Sequence, residues 1–550
     1  MNRNVLRGNV TRPLLVFVIL ASSVASLPIA VGQPSPDLYS YEFTVNEDGF
    51  TWVDITFQSE ASTGSSWVFV PKFSPWHNTT LSGKIETFDL VETNEVATVG
   101  EDYYFYQALQ FDFTSTDSFQ LNIRFNMSEG ALIIEPRGVF FSPQIGFDPG
   151  STGKAEVMLP TGFSVQQTAP SGMISENRVS FDSIDHLVRL QIEFETAVTE
   201  PTWNQLDQGV FRFQTVKRYA HYASEVLTLF NTVYDDFTDL FNVTLDNIDA
   251  QFFIPDFETL LSVGGYVPFT GQTLGEININ IFFVRAVNGT IEAIALHELI
   301  HHFLWEARLS PDLFLWFHEG VAQFVSIESV NDLGYEGAAM ERDRLEQGVT
   351  YYIPQTGVNL GYLQQWTPNS QPVDVSRNYV ASYYVISRLA EQYGGLDFYM
   401  RFFELIRELE VENDSELALH LCLAANASVD LKLKLWGFNI HLLYTGSEVS
   451  PELIYEAEKA LDNLSPMFIP YNLVAKFLYQ QALLQLDRGD TERADQLLKA
   501  TISLANLAPF LTLLTLVAIL AVLLYVLRRR PPEPSMKSPP VPPNFNETST

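Results

Sequence analysis

Cysteine is nearly absent: the 550-residue chain has one, Cys422, set in Leu421-Cys422-Leu423. No intrachain disulfide and no cysteine-built metal site can form, so stability has to come from the core. In those apolar surroundings Cys422 reads as a small buried hydrophobe rather than a nucleophile. Positive charge is scarce as well. Lys plus Arg total 32 against 66 Asp plus Glu, a net charge of −34, which repels nucleic acid and excludes a phosphate-tracking groove. The acidic excess reads as a solvated exterior and names no substrate.

What the chain does have is length and apolar content. At 550 residues it exceeds what one core organises, and 46% apolar with 13% aromatic residues is far from a disordered composition; two or three folded domains are expected. Two apolar runs address the chain. Arg3, Arg7 and Arg12 precede Leu14 to Leu20 and the small residues Ala21 to Ala25, the layout of a secretory signal over residues 1–32. Cleavage after Ala25, cleavage near Gly32 and an uncleaved anchor all fit, because Leu27 to Val31 prolongs the apolar stretch. Leu507 to Leu527 carries no charge and at 1.5 Å per residue reaches roughly 30 Å, the hydrocarbon thickness of a bilayer. Arg528-Arg529-Arg530 follows, so the positive-inside bias expects a transmembrane helix over 507–527, a cytoplasmic tail over 528–550 and everything before it outside the cell. Sequons at Asn78, Asn126, Asn242, Asn288, Asn413, Asn426 and Asn463 fall in the external part, and one at Asn546 in the inner tail.

Between these signals the texture changes twice. Tyr39, Tyr41, Phe43 and Val45 alternate with polar residues, Asn46 to Gly49 turns, and Val53, Ile55 and Phe57 alternate again, as a β-hairpin does. The pattern recurs to Phe194, predicting an antiparallel β-sandwich over residues 35–200. After Pro201 helical periods and short strands mix over 201–410, and helices alone fill 411–505, with a hairpin turning at Gly489-Asp490. The fold class expected is multidomain α+β.

Four of the nine histidines, His297, His301, His302 and His318, fall close together, two of them in His297-Glu298-Leu299-Ile300-His301. On a helix the i, i+4 spacing puts His297 and His301 on one face ~6 Å apart, within reach of one zinc. Glu298 comes round beside them to act as base. Ile291 to Trp305 holds no Gly or Pro and has apolar residues to pack; the competing reading is a pair of core histidines satisfied by hydrogen bonds. A catalytic zinc needs a third protein ligand and one open position. Glu319 fits, on a helix that Ser310 can cap and Pro311 can start. His302, turned about 100° from His301, should point away from the metal face.

The pairing of His297-Glu298-x-x-His301 with Trp316-Phe-His-Glu319-Gly-x-Ala322 resembles the gluzincin metallopeptidases, including the aminopeptidase-N-like family. The resemblance covers about residues 205 to 410 and implies a thermolysin-like catalytic domain over 201–410, with Glu319 as third zinc ligand. The spacer is one residue shorter than is usual for the aminopeptidases. The family's intermediate-binding tyrosine, in a Y-x-x-G helix, matches Tyr379 of Tyr379-Val-Ala-Ser382, with Ser382 in the glycine's place and Tyr383 and Tyr384 as rivals. His318 stands where aminopeptidases often have Asn and is a candidate for touching substrate. The Gly-Ala-Met-Glu-Asn signature that anchors a substrate amine is missing; Gly264 to Pro268 and the strand-like Ile277 to Phe283 stand before the zinc helix instead, and by analogy can pair with an extended substrate.

The function expected is a membrane-anchored extracellular peptidase with a Zn2+ cofactor. Its metal ligands are His297, His301 and Glu319, its base is Glu298, and Tyr379 stabilises the oxyanion. Peptides or proteins are its substrates and nucleic acid is not a partner. The alternative is a catalytically silent surface protein of the same fold that binds a partner; a third reading gives the scaffold another hydrolytic specificity.

Overall fold

The structure, a computed structural model, describes residues 37–354, 358–370, 374–407, 409–442 and 451–528. The signal sequence expected over 1–32 and the tail beyond Arg528 lie outside them. The chain folds as two compact units. One is made of the described residues up to Gly130 with Phe141–Thr161 and Thr168–Gln191; the other is Ala131–Phe140, Gly162–Gln167 and the described residues from Ile192 onward.

The first unit is β-rich. Leu38–Val45 and Thr51–Ser59 form the hairpin their alternation predicts, with Tyr39 opposite Phe57 and Phe43 opposite Val53, turning at Gly49 with φ 91°. Because successive side chains of a strand point to opposite faces, Tyr39, Tyr41, Phe43, Val53, Ile55 and Phe57 are all buried on one side. Five more strands complete a seven-stranded sheet, and a three-stranded sheet of Thr63–Pro71, Tyr106–Thr114 and Lys84–Glu92 meets it through aromatic rings. Phe57 lies 5.2 Å from Phe111 and Phe113 stacks on Phe119 at 4.4 Å, centre to centre. The expectation of a purely antiparallel arrangement is corrected at one place: Leu38–Val45 runs parallel to Thr152–Met158, Tyr41 opposite Ala155. Alternation reports which residues face the core and is blind to strand direction, which only the long connection between the two segments sets.

The second unit is mixed and then helical. Its five-stranded sheet has the order Trp203–Gln208, Phe211–Val216, Ile248–Phe253, Ile277–Asn280, Gly265–Tyr266. The middle three strands are parallel and both outer pairs antiparallel. Helix α1, Ala220–Phe241, crosses between two parallel strands and packs Phe230 and Tyr234 on Phe211 at ring separations of 5.2 and 5.7 Å. Helices α2 (Thr290–Glu306), α3 (Pro311–Asp332), α4 (Glu336–Tyr352), α5 (Val375–Tyr393), α6 (Leu396–Ile406), α7 (Asp414–Ala425) and α8 (Val429–Leu435) follow. One buried cluster joins the sheet to these helices and continues to Ile440. Apolar residues on nearly every face of α2 and α3 explain why both are central: nine residues of α2 and fourteen of α3 are buried, the mark of core helices rather than surface ones.

Helices α9 (Pro451–Asp462), α10 (Tyr471–Asp487) and α11 (Thr491–Arg528) close the described chain. The hairpin between α10 and α11 turns at Gly489, with φ 77°. Helix α11 is long and apolar enough to cross a membrane. It runs past residues 505 and 507, where the sequence suggests a boundary, and takes Pro509 inside it, because the change there is one of composition and not of secondary structure.

Candidate metal centre and active-site cleft

Helix α2 starts at Gly289, in the left-handed region with φ 104°, and the Glu292 carboxylate accepts a hydrogen bond from the Gly289 N–H at 2.8 Å. That closes the first turn and fixes the helix that carries His297, Glu298 and His301. Helix α3 starts at Pro311. The hydroxyl of Ser310 makes no capping bond; its carbonyl accepts instead from Leu313 and Phe314, both at 3.0 Å. Phe314 departs from helical geometry (φ −136°, ψ 39°), and beyond it the helix presents Glu319 to α2.

The imidazole centres of His297 and His301 are 4.9 Å apart. Nε2 of His297 lies 3.1 Å from Glu319 Oε2, and Nε2 of His301 lies 3.7 Å from the same oxygen. Donor atoms of all three residues fall within 4.8 Å of one another. Tetrahedral zinc with bonds of roughly 2.0–2.2 Å needs donors about 3.3–3.6 Å apart, a value the two measured separations bracket. Two imidazoles and one carboxylate are also the donor chemistry zinc takes, so the residues fit the metal.

Electrostatics in this corner follow from burial. Glu298 is 5% exposed; burial pushes its carboxyl up to about 8, with His297 opposing and the Glu319 charge adding. Burial acts against protonation of His297, but the carboxylates of Glu319 and Glu298 outweigh it and hold the imidazole above its usual value. His301 is held well below the ordinary range by burial and by the neighbouring histidines.

His318 is fully enclosed and burial lowers it to about 4, so it is neutral. Its Nε2 lies 2.7 Å from the Leu309 carbonyl and its Nδ1 3.4 Å from His301 Nδ1. A carbonyl only accepts, so Nε2 carries the proton and Nδ1 is the acceptor. The bond this favours, from His301 Nδ1–H to His318 Nδ1, leaves His301 Nε2 free to ligate. Both ring nitrogens of His318 thus face protein groups, although its ring borders the cleft. His302 points into the core, as its rotation predicts, with Nε2 unpartnered and its pKa lowered to about 4 by burial.

A cleft of about 450 Å³ opens on this cluster, lined by His297, Glu298, His301, Glu319 and Tyr379. Of the three candidate tyrosines only Tyr379 is among its lining residues. Its ring packs edge-on against Trp366 at 5.2 Å, and the charge of Glu319, then burial and Glu298, hold its hydroxyl well above the ordinary range. Tyr383 is buried in the core and Tyr384 packs on Trp436. The cleft is also lined by Tyr266 and Val267, within the Gly264 to Pro268 stretch singled out by analogy, and by residues the sequence does not point to: Phe269, Leu274 and the turn Trp366 to Ser370. Ser370 closes that turn by donating its hydroxyl to the Thr367 carbonyl at 2.7 Å. The sheet edge beside the His297, Glu298 and His301 cluster is Gly265–Tyr266, not Ile277–Asn280, which has a neighbour on both sides; the strand-like reading of 277–283 also shortens, since 281–285 is a 3-10 turn.

No family model and no curated protein matches the chain. Among solved structures it is similar to yeast LTA4 hydrolase in complex with bestatin, at 13% identity and a TM-score of 0.30, covering 87% of this chain and 85% of that one. It is also similar to an M1 zinc metallopeptidase variant from Deinococcus radiodurans, at 12% identity and a TM-score of 0.30, covering 74% and 94%. Likenesses this distant leave the function to be argued from the chain's own residues.

Proposed function

We propose that this protein is a zinc-dependent peptidase anchored in a membrane by one helix. The observation that carries the reading is the convergence of His297, His301 and Glu319 donor atoms in the same cleft as Glu298 and Tyr379. In this reading His297, His301 and Glu319 hold zinc in a thermolysin-like domain that follows a β-sandwich. Zinc bound there supplies Lewis acidity to a water nucleophile and to the scissile carbonyl. Glu298, buried beside the proposed ligands, takes the proton of the attacking water and hands it to the leaving amine. Tyr379 donates its hydroxyl hydrogen to the oxyanion, the protonated state its surroundings favour. The edge strand Gly265–Tyr266 offers backbone groups to an extended peptide, and Val267, Phe269 and Leu315 supply apolar lining.

Helix α11 is read as the span, with Leu507 to Leu527 in the bilayer, Arg528 at the cytoplasmic face and the catalytic unit outside. The experiment is turnover of a mixed peptide library by the full chain and by Glu298→Gln. Chelator-sensitive cleavage, lost in the variant while its zinc content is retained, is the expected result. Zinc binding without cleavage by the unaltered chain would favour a silent surface module instead.

A further inference from the structure

From 463 to 486 the only charged residue is Lys476, which is unexpected for a surface hairpin of so acidic a chain. The structure divides these residues sharply. Helix α10 buries Asn472, Ala475, Tyr479, Ala482 and Leu483, while on the opposite face and in the preceding turn Met467 is 82% exposed, Ile469 and Leu473 62% and Phe477 61%. Large apolar side chains gathered on one surface mark a contact.

The neighbour of that surface is fixed by α11. The Tyr471 hydroxyl, at the start of α10, is 2.7 Å from the Thr515 hydroxyl. Thr515 stands eight residues into the uncharged run that begins at Leu507, which is about 12 Å along the helix at 1.5 Å per residue. If Leu507 to Leu527 occupies hydrocarbon, then Tyr471 and the turn before it lie beside the outer third or more of the same layer. The turn is suited to it. Pro466 and Pro470 have no N–H to leave unsatisfied, Met467 and Phe468 donate to Ser465, and the Asn472 amide is spent on the Leu464 and Ser465 carbonyls. These bonds lower the cost of bringing the turn into lipid, where an unpaired donor is expensive.

We propose that the segment from Met467 to Phe477 is a second membrane contact. It inserts its apolar face into the leaflet on the catalytic side, next to the span, so that the hairpin is held against the bilayer instead of swinging on a single helix. Lys476, exposed on α10, reaches back to the headgroups. This rests on the reading of α11 as a span, and the test separates the two. Single variants Met467→Cys, Ile469→Cys and Leu473→Cys of the full chain are labelled with an environment-sensitive fluorophore and reconstituted in phosphatidylcholine vesicles. Cys422 is buried and stays unlabelled. Leu516→Cys reports the span and Glu456→Cys the aqueous side. The expected result is quenching of positions 467, 469 and 473 by bromolipid to the extent seen at 516, with protection from iodide. Iodide access at these three positions with 516 shielded would overturn the proposal and leave the span standing. Iodide access at 516 as well would remove both. Shielding that disappears when the protein is diluted into excess lipid would assign the surface to a second copy and overturn the lipid contact.

Discussion

The backbone of Gly265 passes so close to Glu298 that a Cβ on the glycine would stand 2.8 Å from both Cγ and Oε1 of the carboxylate, and 2.8 Å from the Asn278 carbonyl. Only a residue without a side chain lets the sheet edge lie against the proposed base. Gly265→Ala must therefore displace either the strand or Glu298. Because a misplacement near 1 Å costs on the order of 100-fold in rate, we expect kcat to fall by about that factor with zinc content unchanged, measured by steady-state peptide hydrolysis and metal analysis.

His318 bears on the proposed zinc site through His301, whose Nδ1 lies 3.4 Å from its own Nδ1. Removing its Nδ1 acceptor in His318→Ala frees the His301 ring to rotate and to take the wrong tautomer. Loss of such a partner typically costs 10- to 100-fold in metal affinity, so competition with a chromogenic chelator should show weakening of about that size. Unchanged affinity would mean that Leu309 and His318 merely fill space.

The pH dependence of the metal-free protein follows from Glu298. Its folded pKa of about 8 lies above the ordinary carboxylate value of 4.5, so folding favours the protonated acid. The stability this gives is fully present below about pH 4.5 and is lost as pH rises through 8. Glu298→Gln, which cannot ionise, escapes that loss. Thermal melts of the two metal-free proteins should diverge between about pH 4.5 and 8, with the variant gaining relative to the parent as pH rises and the difference levelling off above 8.

Gly320, next to Glu319, is where α3 meets α5: a Cβ there would lie 2.7 Å from the Ser382 carbonyl and 2.6 Å from Ile386. Overpacking of this kind costs about 1–3 kcal/mol. Gly320→Ala should lower the melting temperature and weaken zinc binding together, since Glu319 is carried by the displaced helix.

These contacts also show what the chain's letters reveal. His297, Glu298 and His301 are legible because i, i+4 geometry is local, and Glu319 because a second helix opened by Pro311 follows at short range. The Y-x-x-G pattern would put a space-giving glycine at position 382, yet the close approach is made by Gly320 from the other helix, and Ser382 fits beside it with its hydroxyl buried and unpartnered. Alternation in Tyr39 to Phe57 marks the buried face correctly but cannot say that Leu38–Val45 pairs in parallel with Thr152–Met158. Gly264 to Pro268 is picked out only by analogy, and the cleft walls at Phe269 to Leu274 and Trp366 to Ser370 come from turns with no periodicity, so nothing in their spacing points to the proposed site. The change of texture at residue 410 has no counterpart in the core, whose buried cluster continues to Ile440.

Zinc content tests the central claim most directly. The full chain, purified in detergent and dialysed against metal-free buffer, should retain one zinc per molecule, and His301→Ala should retain none. Absence of stoichiometric metal from the unaltered chain, or its persistence in His301→Ala, would contradict the assignment of His297, His301 and Glu319 as a catalytic zinc site.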